Sequence, residues 1–106
     1  MLKQEDPDLG EKQEQRLKAL AIVLRALSHE TRLKILNLLN KSPKTWTQIQ
    51  LELKINPKSL RDHLKYLLDR KLVKNSEPAG FELTHAGKMI LEISMKEMLA
   101  VIELDD

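Results

Sequence analysis

The 106 residues include no cysteine, three glycines, four prolines and a single phenylalanine, tyrosine and tryptophan. Without cysteine there are no disulfides, no thiolate metal sites and no cysteine nucleophile. With so few aromatics, any core must be aliphatic, and here mostly leucine. No apolar run approaches the length of a membrane span, and the opening MLKQEDPDLGEK has no apolar stretch behind a basic start. Neither a spanning helix nor a secretory leader is expected, and the expected location is the cytoplasm. There is no glycine-rich phosphate loop and no triad, and Glu92, Glu97 and Glu103 are spread along one helical stretch without an apolar pocket to raise a pKa. An enzyme is therefore the least supported reading, and no cofactor is expected.

What is present suits one small domain with an extra helix at either end, since 42% of the residues are hydrophobic. The net charge of +2 conceals a segregation. Between Arg32 and Lys74 there are eleven Lys or Arg against Glu52, Asp62 and Asp69, so this section carries +8 and the two ends together carry −6. A basic middle of this kind suits a polyanion such as nucleic acid, although an ordinary solvated surface would also account for it.

Residues Met1 to Gly10 are acidic and read as a frayed terminus. From Glu11 the pattern is helical, with Leu17, Leu20, Ala21, Leu24 and Leu27 on one stripe and Ala19, Ile22, Val23 and Ala26 extending it most of the way round. A helix apolar on nearly all sides needs a second surface to cover it, and dimerisation supplies one economically. Ser28 is expected to cap a second helix that stops near Lys41-Ser42-Pro43. Thr45 and Trp46 read as a short extended segment, and Thr47, with Gln50 three residues on, as the capping box of a third helix. After the turn Lys54-Ile55-Asn56, the stretch NPKSLRDHLKYLLDRKL has Asn56 as N-cap and Pro57 at the first helical position. Leu60, Leu64 and Leu67 then fall on one face, with Lys58, Arg61, Asp62 and Lys65 opposite.

Two helices joined by about three residues, the second presenting basic groups, match a helix-turn-helix whose second helix reads DNA. Short strands are expected at Leu72–Asn75 and Phe81–Thr84, around a hairpin at Ser76–Gly80. Thr84 should cap a last helix, about His85 to Glu103, with a heptad-like seam of Leu91, Met95, Met98 and Ile102. The element order predicts a mainly α fold with a small β-hairpin (α+β), a winged helix-turn-helix. Its division is a terminus 1–10, a domain 11–84 that includes the first helix, and a dimerisation helix 85–106.

The residues also resemble a family. LRALSHETRLKILNLL, SLRDHLKYLLDRKLV and FELTHAGKMIL, between Leu24 and Leu91, are similar to the leucine-rich link, the recognition helix with its exit, and the closing strand with its Leu-Thr-x-x-Gly helix start of ArsR-like winged-helix regulators. The resemblance implies a dimeric, duplex-binding transcription factor, a repressor by default. Three features depart from the family pattern. Lys54 and Lys71 stand where relatives commonly place glycine. IQLELKI replaces the Cys-x-Cys element of metal-sensing members, which argues against thiolate sensing. The short wing tip carries Glu77 rather than a cation.

The candidate DNA contacts are Thr47, Gln48, Lys58, Ser59, Arg61, Asp62, Lys65 and Lys74. Arg61 is placed to read guanine, Lys and Ser to hold phosphate, and Asp62 to orient Arg61, accept from cytosine or merely pair with Lys65. The candidate dimer contacts are Leu17, Leu20, Leu24, Leu91, Met95, Met98 and Ile102. His29, His63 and His85 lie on separate segments without metal-ligand spacing, so structural roles are expected and no metal is assigned. Trp46 reads as core rather than as a base-stacking residue, and Met89, Met95 and Met98 as seam or core rather than as a ligand groove. Any small-molecule effector is left unidentified. The rival reading is a winged-helix module that docks an acidic protein partner, for which Glu77 and Asp62 speak.

Overall fold

The computed structural model describes residues 7–105. The chain runs through α1 (Pro7–Leu27), α2 (Glu30–Lys41), α3 (Trp46–Leu53), α4 (Pro57–Asp69), β1 (Val73–Ser76), β2 (Gly80–Leu83) and α5 (His85–Ile93), then a π-turn (Ser94–Met98) and α6 (Leu99–Asp105). This is the expected mainly helical winged helix-turn-helix.

The core gathers around α2, which buries Ile35, Leu36, Leu38 and Leu39. Against it lie Ile49 of α3, Leu60, Leu64 and Leu67 of α4, Leu72 and Val73 at the entrance to the hairpin, and Leu91 of α5. Each fully buried Leu or Ile contributes about 1.5–3 kcal/mol. Trp46 and Phe81 pack on the edge of this cluster, as the composition required of so aliphatic a core. Among the described residues, α1 gives the core only Ala26 as a buried side chain, with Leu27 beside it.

The wing is an antiparallel pair in the register Val73↔Leu83, Lys74↔Glu82, Asn75↔Phe81 and Ser76↔Gly80. Lys44 adds an isolated bridge to it, donating its N–H to the Phe81 carbonyl at 3.0 Å and accepting from the Phe81 N–H at 2.7 Å. Gly80 sits in the left-handed region (φ 108°) where a Cβ would lie 2.2 Å from the Lys44 carbonyl oxygen, so only glycine fits this crossing. Gly87 is held for a different reason. Thr84 caps α5, accepting from the Gly87 N–H at 3.0 Å and donating its hydroxyl to the Lys71 carbonyl at 2.7 Å. That clamp draws the helix onto the preceding turn until a Cβ at Gly87 would lie 2.1 Å from the Leu72 carbonyl oxygen.

Several expected boundaries move. Helix α1 has already formed at Pro7, whereas a frayed stretch to Gly10 was expected; Met1 to Asp6 lie outside the described residues. The N-cap of α2 is His29, whose Nδ1 accepts from the Thr31 N–H at 3.3 Å, while Ser28 turns back to donate to the Arg25 carbonyl at 2.8 Å. Helix α3 starts two residues earlier than expected, on a capping box of Thr45 and Gln48 rather than Thr47 and Gln50. The pairing of Lys44 with Phe81 ends the extended stretch there and leaves Thr45 at the cap. The last helix is interrupted by the π-turn, which no composition signal announced.

Candidate nucleic-acid interface

Helix α4 is built as expected. The Asn56 carboxamide oxygen accepts from the Lys58 N–H at 2.7 Å and the Ser59 N–H at 3.2 Å, with Pro57 opening the helix. At its other end the Leu72 N–H reaches the Leu67 carbonyl and the Lys71 N–H the Leu68 carbonyl, both at 3.0 Å. This double closure is a Schellman motif, and it places Lys71 at φ 61°. Lys54, after α3, stands at φ 52° and donates to the Gln50 carbonyl at 2.8 Å, the single-bond version of the same ending. Lys54 to Asn56 form the three-residue turn between α3 and α4.

With Leu60, Leu64 and Leu67 buried, the opposite face of α4 exposes Lys58, Ser59, Arg61, Asp62 and Lys65. Thr47 and Gln48 are exposed at the start of α3, and the Gln48 side-chain Oε1 already accepts from the Thr45 N–H at 2.8 Å. Lys74 is exposed on β1 and pairs across the strands with Glu82 at 3.7 Å. The helical lysines are paired too, Lys58 with Asp62 at 3.3 Å and Lys65 with Asp69 at 3.1 Å. Asp62 therefore faces Lys58, whereas Lys65 was one of its expected partners. The helical pairs are solvent-exposed, so each stabilises the fold by about 1 kcal/mol or less.

Behind α4 lies a cluster that sequence spacing did not reveal. The Arg32 guanidinium donates from Nη1 to the Arg25 carbonyl at 2.9 Å and from Nε to His63 Nδ1 at 3.3 Å. Its Cζ also sits 3.8 Å from the centre of the Tyr66 ring, and Arg70 lies 4.1 Å from the same ring. His29 and His63, 34 positions apart in the chain, meet with ring centroids 4.3 Å apart. Burial chiefly, then the neighbouring His29 and Arg32, push the His63 imidazole below its ordinary pKa of 6.5, with Asp62 opposing. The cluster joins the end of α1 to the recognition helix. Among the described residues, no group of three or more His, Asp or Glu side chains is arranged to hold a metal ion.

Along α1 and the last helix a second surface is uncovered. Leu17 is 57% exposed, Leu20 51%, Leu24 46%, Met95 52%, Met98 52% and Ile102 56%, far more than isolated surface leucines would require. Leu24, Leu27, Leu33, Met95, Met98 and Ile102 border an apolar groove of about 330 Å³ between them. Leu91, expected on the same seam, borders this groove too but is only 2% exposed and belongs to the subunit's own core. Leu99, the first residue after the π-turn, also borders the groove beside Met98. Among the described residues no helix is long and apolar enough to cross a membrane.

Residues 29–75 match the family model described as "Bacterial regulatory protein, arsR family". That interval runs from the N-cap of α2 through α3 and α4 into the first wing strand. The helix-turn-helix segment is thus similar to that of the arsR family. Solved structures share the winged helix-turn-helix fold. The solution NMR structure of the homodimeric winged helix-turn-helix DNA-binding domain of Mb0332 from Mycobacterium bovis, a possible ArsR-family transcriptional regulator, is 21% identical. It aligns over 99% of this chain and 94% of that one with a TM-score of 0.72. HlyU from Vibrio cholerae is 24% identical over 76% of this chain and 91% of that one, with a TM-score of 0.68. Its reduced form is 23% identical over 79% and 93%, with a TM-score of 0.71. At these identities the likeness establishes the fold. No curated protein matches the chain.

Proposed function

We propose that this chain is a sequence-specific, duplex-DNA-binding transcription regulator that acts in the cytoplasm as a homodimer, each subunit placing α4 in one major groove. The observation that carries the reading is the exposed face of α4, with Lys58, Ser59, Arg61, Asp62 and Lys65 on a rigid helix inside the segment that matches the arsR family. Thr47 and Gln48 flank it on α3, and Lys74 reaches the backbone from the wing. Helices α1 and α6 with the π-turn form the dimer contact through Leu17, Leu20, Leu24, Met95, Met98 and Ile102. Two recognition helices about a two-fold axis call for a near-palindromic target with half-sites about one turn, ~10 bp, apart. An occupied site then excludes other factors, and repression is the simplest consequence.

Titration of a fluorescent duplex at several salt concentrations tests this. Each phosphate contact contributes about −0.9 to the slope of log K against log salt, so ~6 contacts per dimer give a slope near −5. A Lys58→Ala/Lys65→Ala variant should flatten it. Absence of binding at low salt would transfer the basic face to an acidic protein partner.

A further inference from the structure

The basic section from Arg32 to Lys74 contains three arginines, and the structure treats them unequally. Arg32 and Arg70 both stack on the Tyr66 ring, at 3.8 and 4.1 Å from its centre, and Arg32 is further tied to the Arg25 carbonyl and His63. Arg61 lies exposed at the middle of the recognition helix and has no ion-pair or hydrogen-bond partner among the described residues. Its neighbours on the same face are occupied, Lys58 by Asp62 and Lys65 by Asp69. A lysine that moves to phosphate must leave its carboxylate, and that carboxylate then stands close to the DNA backbone, where like charge repels it. The two lysines therefore serve attachment and register rather than base choice.

We infer that Arg61 is the specificity-determining residue of the DNA-binding face, reading a guanine in each half-site through O6 and N7. The inference rests on the DNA-binding reading above and goes beyond it by separating the side chain that discriminates from those that only attach. Guanine presents two acceptors to the major groove, and a guanidinium presents two parallel donors at matching separation. No internal carboxylate has to be displaced first. Asp62, held against Lys58 one residue further on, disfavours phosphate at this point of the helix and leaves base edges as the natural destination of Arg61.

The test begins with selection of bound duplexes from a randomised pool by the full chain. The expected half-site contains one guanine at which replacement by 7-deazaguanine, which lacks the N7 acceptor, weakens wild-type binding. Arg61→Ala should lose about tenfold or more in affinity for the selected duplex, while its binding to random duplex and the salt dependence of that binding stay unchanged. Arg61→Lys should lose the same discrimination because it keeps the charge without the fork. In Arg61→Ala the 7-deazaguanine substitution should have no further effect. Equal losses by Arg61→Ala on selected and random duplex would make Arg61 a phosphate contact and overturn the inference, as would a selected site without guanine or an indifference of the wild type to 7-deazaguanine. A pool from which nothing is selected would sink the DNA-binding reading itself, which distinguishes the two failures.

Discussion

Lys54 and Lys71 both hold a Cβ in the left-handed region, at φ 52° and 61°. That conformation costs an L-residue roughly 1–2 kcal/mol, part of which is recovered because glycine would lose more backbone entropy on folding. Replacing either lysine by glycine should therefore stabilise the fold by about 0.5–1 kcal/mol, read as a rise in the urea midpoint at unchanged m-value. The sequence already marked these two positions as departures from the family pattern, since relatives commonly place glycine there, and the backbone explains the preference. Gly87 argues in the opposite direction. With 2.1 Å between an added Cβ and the Leu72 carbonyl oxygen, Gly87→Ala must push α5 off its turn, at a cost of about 1–3 kcal/mol in the same urea experiment. The Leu-Thr-x-x-Gly pattern was visible as a resemblance, but its cause, a threonine clamp and a helix drawn onto a carbonyl, became visible only in three dimensions.

At the scale of elements, legibility followed how local the determining contacts were. Helix α4 could be read because Asn56, Pro57 and the leucines at 60, 64 and 67 all act within one helix. Helix α3 could not be placed to the residue, because Thr45 and Thr47 each have glutamine three positions on and the choice between them rests on Lys44 meeting Phe81, far along the chain. The His29–His63–Arg32 cluster was illegible for the same reason. It has a consequence for pH. Protonating His63 removes the acceptor for Arg32 Nε and adds charge beside His29 and Arg32, with Asp62 alone in opposition and the Tyr66 ring already stacked on Arg32. With the folded pKa held below that of the unfolded chain, stability is fully present above about pH 6.5 and is lost as pH falls through that value towards the lowered one. Thermal melts between pH 8 and 5 should show a fall that is smaller in His63→Gln. Carboxylates contribute equally to both proteins, so the difference between them isolates the imidazole. Equal falls in the two proteins would show that His63 does not couple folding to protons.

The whole molecule is more extended than a domain of its length should be. A compact chain of this size has a radius of gyration of about 13 Å, whereas this subunit has 16.9 Å and extends 56 Å along its longest axis. The excess lies towards the two ends of the described residues, where α1, the π-turn and α6 leave Leu17, Leu20, Leu24, Met98 and Ile102 about half exposed. The apolar character of the first helix was plain from LKALAIVLRAL, and it already implied a covering surface. A second copy offers the same unsatisfied stripe, and a standard interface needs only about 800 Å² from each partner. Leu20→Glu with Met98→Glu should therefore give a monomer by sedimentation equilibrium while leaving the core around α2 intact, because neither residue contributes to it. The helical circular dichroism of α2 to α5 should survive. Duplex affinity should fall steeply, since two half-sites are no longer held by one particle and each α4 must bind alone. A wild-type chain that sediments as a monomer at tens of micromolar would mean that a different protein covers this stripe, and the basic face would then serve a hetero-complex rather than a palindrome.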